Sequence, residues 1–167
     1  MDEVSLIQMI IDLYKGSNAA EEAINLSLLG EDYGKELLDH YKKRLYKIFN
    51  PTDIVRTGFS LEAVQAVLND FEDICFGSDR FYADLALYFA ECATDFTMSY
   101  GDIDEDFYDA LGDAYHDAVV AASNDERTYE ILKNRLSSIL VEFAGFGWGM
   151  DDYISSEYYS IPWTGEE

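Results

Sequence analysis

The chain is short of proline, cysteine, histidine and basic residues, and each shortage removes a class of structure or chemistry. Pro51 and Pro162 are the only prolines in 167 residues, so long stretches are free to be helical. Cys75 and Cys92 are the only cysteines, too few for a disulfide framework. Each falls on the apolar face of a predicted helix, where a thiol is a small buried hydrophobe. Eleven Lys and Arg stand against 34 Asp and Glu, a formal net charge of −23. A surface that negative repels anionic membranes and nucleic-acid backbones, which excludes direct phosphate binding. No apolar run reaches transmembrane length. The first residues are acidic rather than basic, and Gln8 and Asp12 interrupt the apolar stretch. That is unlike a signal peptide and sets the expectation of a cytoplasmic protein.

Apolar residues are plentiful: the chain is 49% hydrophobic and 15% aromatic. An acidic disordered tail would lack them. The length suits one domain with a real core, so a folded acidic domain over residues 1–167 is expected.

The apolar spacing is helical almost throughout. Leu6, Ile7, Ile10, Leu13 and Tyr14 mark one face of a first helix ending at Gly16. Asn18 and Glu21 resemble a capping box for a second helix, which Gly30 stops. A third runs from about Asp32 to Phe49, with Asn50-Pro51 as its end. After a connection through Phe59, Ser60 caps a helix that Gly77-Ser78 breaks. Others follow from about Asp79 to Ser99 and from about Ile103 to Ala122. Ser123 and Glu126 then resemble a second capping box, opening a helix that runs to Phe143. The segment Gly145 to Gly149 reads as a glycine and aromatic turn, and Asp151 to Trp163 as one last short helix. No strand pattern is present. Short connections favour antiparallel helical hairpins, so an all-α domain of about seven helices is expected, stacked as a bundle or a short solenoid. The absence of a fixed-period repeat favours the bundle.

The acidity is uneven. From Asp70 to Asp117 there are 14 carboxylates, and Arg80 is the one Lys or Arg. Lys42, Lys43, Arg44 and Lys47 form a basic island on the third helix. Asp102, Asp106, Asp109, Asp113 and Asp117 step by four, three, four and four, which places them on one outward stripe. Ile103, Phe107, Leu111, Ala114, Ala118 and Ala122 take the inward face of the same helix. Like charges at such steps repel by about 0.2–0.5 kcal/mol per pair. Asp84, Glu91 and Asp95 extend the acidic surface on the preceding helix.

One reading of the stripe is a solvated face that keeps the protein soluble. The other is a ladder of carboxylates about 5–6 Å apart, the scale of phosphates along one nucleic-acid strand. A Lys/Arg-lined groove could accept such a ladder. The leading expectation is a non-enzymatic interaction module whose anionic face binds a basic protein surface. Its sharpest form is a nucleic-acid mimic that inhibits a DNA- or RNA-binding enzyme such as a bacterial defence nuclease. The alternatives are a helical scaffold whose acidity serves solubility, and a carboxylate/His metal-dependent enzyme around His116.

Other chemistry finds little support. Asp102, Asp104, Asp106 and Asp113 share EF-hand spacing, but the sixth position is Phe107 rather than Gly and the twelfth is Asp rather than Glu. Asp113 and His116 have the spacing of a di-metal Glu-x-x-His motif with a shorter acid, and His40 offers no second copy. There is no G-x-S-x-G, and neither cysteine lies in a basic context. No catalytic residue, metal ligand or cofactor is assigned. Tyr153, Tyr158, Tyr159 and Trp163 either cap the core or form an exposed contact patch; docking on the chain's own domain is the favoured reading.

The runs LLDHYKKRLYKIFNP, DRFYADLALYFAECATDFTMSYGDIDEDFYDAL and FGWGMDDYISSEYY, after a D-L-Y near the start, resemble a family of small all-helical bacterial proteins of unknown function. The resemblance covers most of the chain and is most specific from Ala83 to Leu111. It implies an all-helical fold and a bacterial or mobile-element origin, and transfers no activity.

Overall fold

The computed structural model describes residues 2–51, 58–75, 79–101, 103–144 and 149–165. Among them are eight helices and no strand. They are α1 (Glu3–Gly16), α2 (Asn18–Leu29), α3 (Glu31–Phe49), α4 (Leu61–Ile74), α5 (Asp79–Tyr100), α6 (Glu105–Asn124), α7 (Glu126–Glu142) and α8 (Met150–Ser160). The fold is all-α, as the periodicity requires, and the short C-terminal segment is a helix in its own right. None of the described helices is long and apolar enough to cross a membrane. The expected breaks at Gly77-Ser78 and Gly145 to Trp148, and most of the connection before Phe59, lie outside the described residues.

Helix starts follow side-chain chemistry, with two corrections of register. Ser60 accepts from the Ala63 amide at 3.2 Å, as expected. The cap of α2 is Ser17, one residue before Asn18, and it accepts from the Ala20 amide. The cap of α7 is Asp125 rather than Ser123; its carboxylate accepts from the Thr128 amide at 2.9 Å and from the Thr128 hydroxyl at 2.6 Å. Ser123 is still inside α6 and donates to the Val119 carbonyl. A carboxylate is the better acceptor at a helix N-terminus, because it also meets the positive end of the helix dipole. Gly30 ends α2 and precedes α3 at φ 75°, a conformation that costs glycine nothing.

Extensive packing occurs between helices one or two apart in sequence, so the molecule is built as successive hairpins. Helix α5 is central, against α3, α4, α6 and α7. Ala83, Leu85, Ala86, Leu87, Phe89, Ala90 and Ala93 are all buried, and a helix apolar nearly all round must be enclosed. At Gly34 the backbone of α3 comes so close to α5 that a Cβ would collide with the Phe81 ring. Rings of Phe49, Phe59, Phe96 and Phe107 stack at 5.0–6.2 Å and join α3, α5 and α6. Each such pair adds about 0.5–1.5 kcal/mol beyond area burial.

Helix α1 departs from this pattern. It packs substantially on α2 alone, and none of its residues is buried. The apolar face that periodicity places on it meets little of the core.

Candidate functional site: two sets of carboxylates

The acids of α5 and α6 look alike in sequence and meet different fates. On α5, Asp84 and Glu91 turn onto Arg135 of α7. The Arg135 guanidinium donates to Glu91 through Nε (2.6 Å) and Nη2 (2.9 Å), and to Asp84 through Nη1. Lys42 of α3 adds a second cation on Asp84, at 2.6 Å. The two-pronged geometry suits a planar guanidinium and two carboxylates a helical turn or two apart. Burial pushes the Asp84 carboxyl up, but Arg135 and Lys42 outweigh it and hold the group below the usual carboxylate range. Asp84 and Glu91 of the expected partner-binding set are thus paired within the fold, in a half-buried ion-pair cluster that ties α3, α5 and α7 together. Arg135 is the residue that sequence reasoning missed; it lies 44 and 51 positions from its partners.

Three of the four cations of the basic island are paired too. Lys42 pairs with Asp84, Lys43 with Asp39 and Arg44 with Asp70. Arg80 and Arg127 both approach Glu31 at the start of α3, at 3.7 and 3.2 Å.

The stripe on α6 stays outside this economy. Asp106, Asp109 and Asp113 are exposed, and no cation among the described residues pairs with them. With Leu61, Glu62, Gln65 and Ala110 they border an open depression of about 300 Å³. Asp117 continues the spacing but is half-buried, because the Tyr82 hydroxyl of α5 donates to it at 3.3 Å. Burial raises the Asp117 carboxyl, Asp113 raises it further, and Tyr82 and His116 offset this only in part. Asp102 lies outside the described residues.

A second acidic recess, about 510 Å³, opens between α3, α5 and α7. Tyr46, Tyr88, Phe96 and Tyr100 wall it, and Glu91, Asp95, Cys92 and Glu142 line it. Asp95 is exposed. Burial, Asp95 and Glu91 together raise the Glu142 carboxyl. Burial also lifts the Cys92 thiol, and with Glu91 and Asp95 it reaches about 11. Cys92 is thus a thiol at neutral pH and a poor nucleophile.

The remaining candidates are placed as follows. Asp104 caps α6 by accepting from the Phe107 amide at 2.9 Å, and Phe107 is in the core, so Asp104 and Asp106 belong to a helix start and Asp113 to the middle of that helix. His116 meets Glu157 of α8 at 2.7 Å. Among the described residues, no group of three or more His, Cys, Asp or Glu could hold a metal ion. Trp163 donates from Nε1 to the Ala122 carbonyl at 3.0 Å. Tyr153 lies over Gly112, where a Cβ would stand 3.2 Å from the ring. Tyr158 is partly buried, Tyr153 keeps an exposed edge, and Tyr159 is the most exposed of the set at 67%. The C-terminal aromatics thus dock chiefly on their own domain.

Comparison with protein-family models, curated proteins and solved structures finds no match for this chain.

Proposed function

We propose that this protein is a non-enzymatic interaction module that presents the α6 carboxylates to a basic surface of another protein. The observation that carries the reading is the contrast within the fold. Asp84 and Glu91 on α5 are matched by Arg135 and Lys42, whereas Asp106, Asp109 and Asp113 stand in the open with no cation among the described residues. Unpaired like charges at steps of three and four cost the isolated protein a little stability, and a cationic partner would recover it. The regular spacing favours a Lys/Arg-lined groove made for phosphates, so the sharpest form of the reading is a nucleic-acid mimic that blocks a nuclease or another nucleic-acid-binding enzyme. Asp95 and Glu142 beside Tyr46, Tyr88 and Tyr100 supply a further recess suited to a Lys or Arg side chain.

The test is capture from a native-host lysate at about 0.05 M and about 0.5 M NaCl, which differ several-fold in screening length. Wild type should retain a basic protein at low salt and release it at high salt. The fourfold variant Asp106→Asn, Asp109→Asn, Asp113→Asn, Asp117→Asn should retain none. A circular-dichroism spectrum and melting temperature matching wild type separate lost capture from unfolding of the variant. Binding that survives both high salt and the variant would refute the reading.

A further inference from the structure

Helix α1 is an apolar helix with too little to pack on. At 100° per residue, Val4, Leu6, Ile7, Met9, Ile10, Ile11, Leu13 and Tyr14 occupy roughly 220° of arc, about twice the stripe an ordinary surface helix buries. Helix α2 takes part of that arc, where the Tyr14 hydroxyl reaches Asn25 at 3.4 Å. The rest is open: Val4 is 76% exposed and Leu13 54%. Leu28 and Leu29 at the end of α2 are exposed as well. Together the apolar side chains of this hairpin offer on the order of 800 Å², about one partner's share of a stable protein–protein interface.

The charge pattern selects the occupant. Residues 4–11 carry no charge at all in a chain of net charge −23, so a basic partner finds nothing there to hold. The ends of α1 differ: Asp2 and Glu3 stand at the start with no cation beside them in sequence, whereas the last turn carries Lys15, with Asp12 one turn earlier held by the Gln8 amide. Two copies of α1 laid antiparallel about a two-fold axis bring each Lys15 level with the other copy's Asp2 and Glu3, and their helix dipoles oppose. A parallel pairing would set like ends together. We infer that α1 is a homodimerisation element: two copies of this chain associate through antiparallel α1 helices flanked by α2. The contact is self-complementary, as a two-fold interface must be. The carboxylates of α5 and α6 remain outside it and repel across the dimer only over distances that salt screens.

This association therefore strengthens with salt, the opposite of the partner binding proposed above, and the two ideas can fail separately. The experiment is sedimentation equilibrium of the full chain at about 50 µM, in about 0.05 M and about 0.5 M NaCl. We expect a species of twice the 19.0 kDa chain mass, with a dissociation constant at least severalfold lower at high salt. Met9→Glu with Leu13→Glu, both on exposed positions, should give monomer with an unchanged helical circular-dichroism spectrum. Lys15→Glu should weaken the dimer severalfold at low salt and little at high salt. A chain that is monomeric in both salts, or a dimer indifferent to the Met9/Leu13 variant, overturns the inference. So does a monomer that floats with neutral phosphatidylcholine vesicles, which would assign α1 to a lipid surface.

Discussion

Asp84 and Glu91 on α5 and Asp109 and Asp113 on α6 are the same chemistry on adjacent helices, yet one pair holds the fold together and the other strains it slightly. The difference lies in what faces them. Helix α5 is central, so its polar positions look across at α3 and α7, where Lys42 and Arg135 wait. The outer face of α6 looks instead toward Leu61, Glu62 and Gln65 of α4, which offer no cation. Net charge says little about either role. What matters is which carboxylates the fold has already answered; those it has not are the ones the proposed partner would meet.

The largest expected effect comes from removing the hub of the answered set. Arg135→Met leaves Glu91 without a cation and Asp84 with Lys42 alone. Stripping one partner from a fully buried pair costs about 3–5 kcal/mol. With the Arg135 side chain 27% exposed and Lys42 remaining, about 2–3 kcal/mol should be lost, as read by urea denaturation. A loss under about 0.5 kcal/mol would erase the distinction between the two acidic regions.

The pH profile of the wild type separates the regions without mutation. Asp84 is held below the usual range in the folded state, so its contribution is full above the ordinary Asp value and disappears as pH falls through the depressed one. Asp117 and Glu142 are raised, so their contribution is present at low pH and is lost as pH rises through their folded values. Stability should therefore rise as pH falls through the raised values of Asp117 and Glu142, and fall once pH drops below the ordinary Asp value of about 3.9. Thermal melts across that range check it; a steady decline from pH 7 downward would contradict it.

The smallest effect is expected at an exposed pair. Lys43→Ala removes the contact to Asp39, whose side chain is 63% exposed. Such pairs contribute about 0–1 kcal/mol, so the melting temperature should barely move. Pairing as such would then not be the source of stability; pairing at α5 would.

How much of this was legible follows from the range of each signal. Helix positions are local, and the periodicity located all of them to within a few residues. Caps are local too, but Ser and Asp compete for them, which is why Ser123 lost to Asp125 two residues on. The outward stripe Asp106, Asp109 and Asp113 is a property of one helix and was readable from its spacing. The fate of Asp84 and Glu91 was not, because it depends on an arginine in another helix. Asp117 shares the stripe's spacing but sits under Tyr82, again a contact between helices. Helix α1 shows the same limit: amphipathicity marks an apolar face and is silent about what covers it.

The most direct test sets the two acidic regions against each other. Thermal melts at pH 7 and low salt should compare Asp84→Asn/Glu91→Gln with Asp109→Asn/Asp113→Asn. The account predicts opposite signs: a lower melting temperature for the α5 variant and an equal or higher one for the α6 variant. Two shifts in the same downward direction would contradict it.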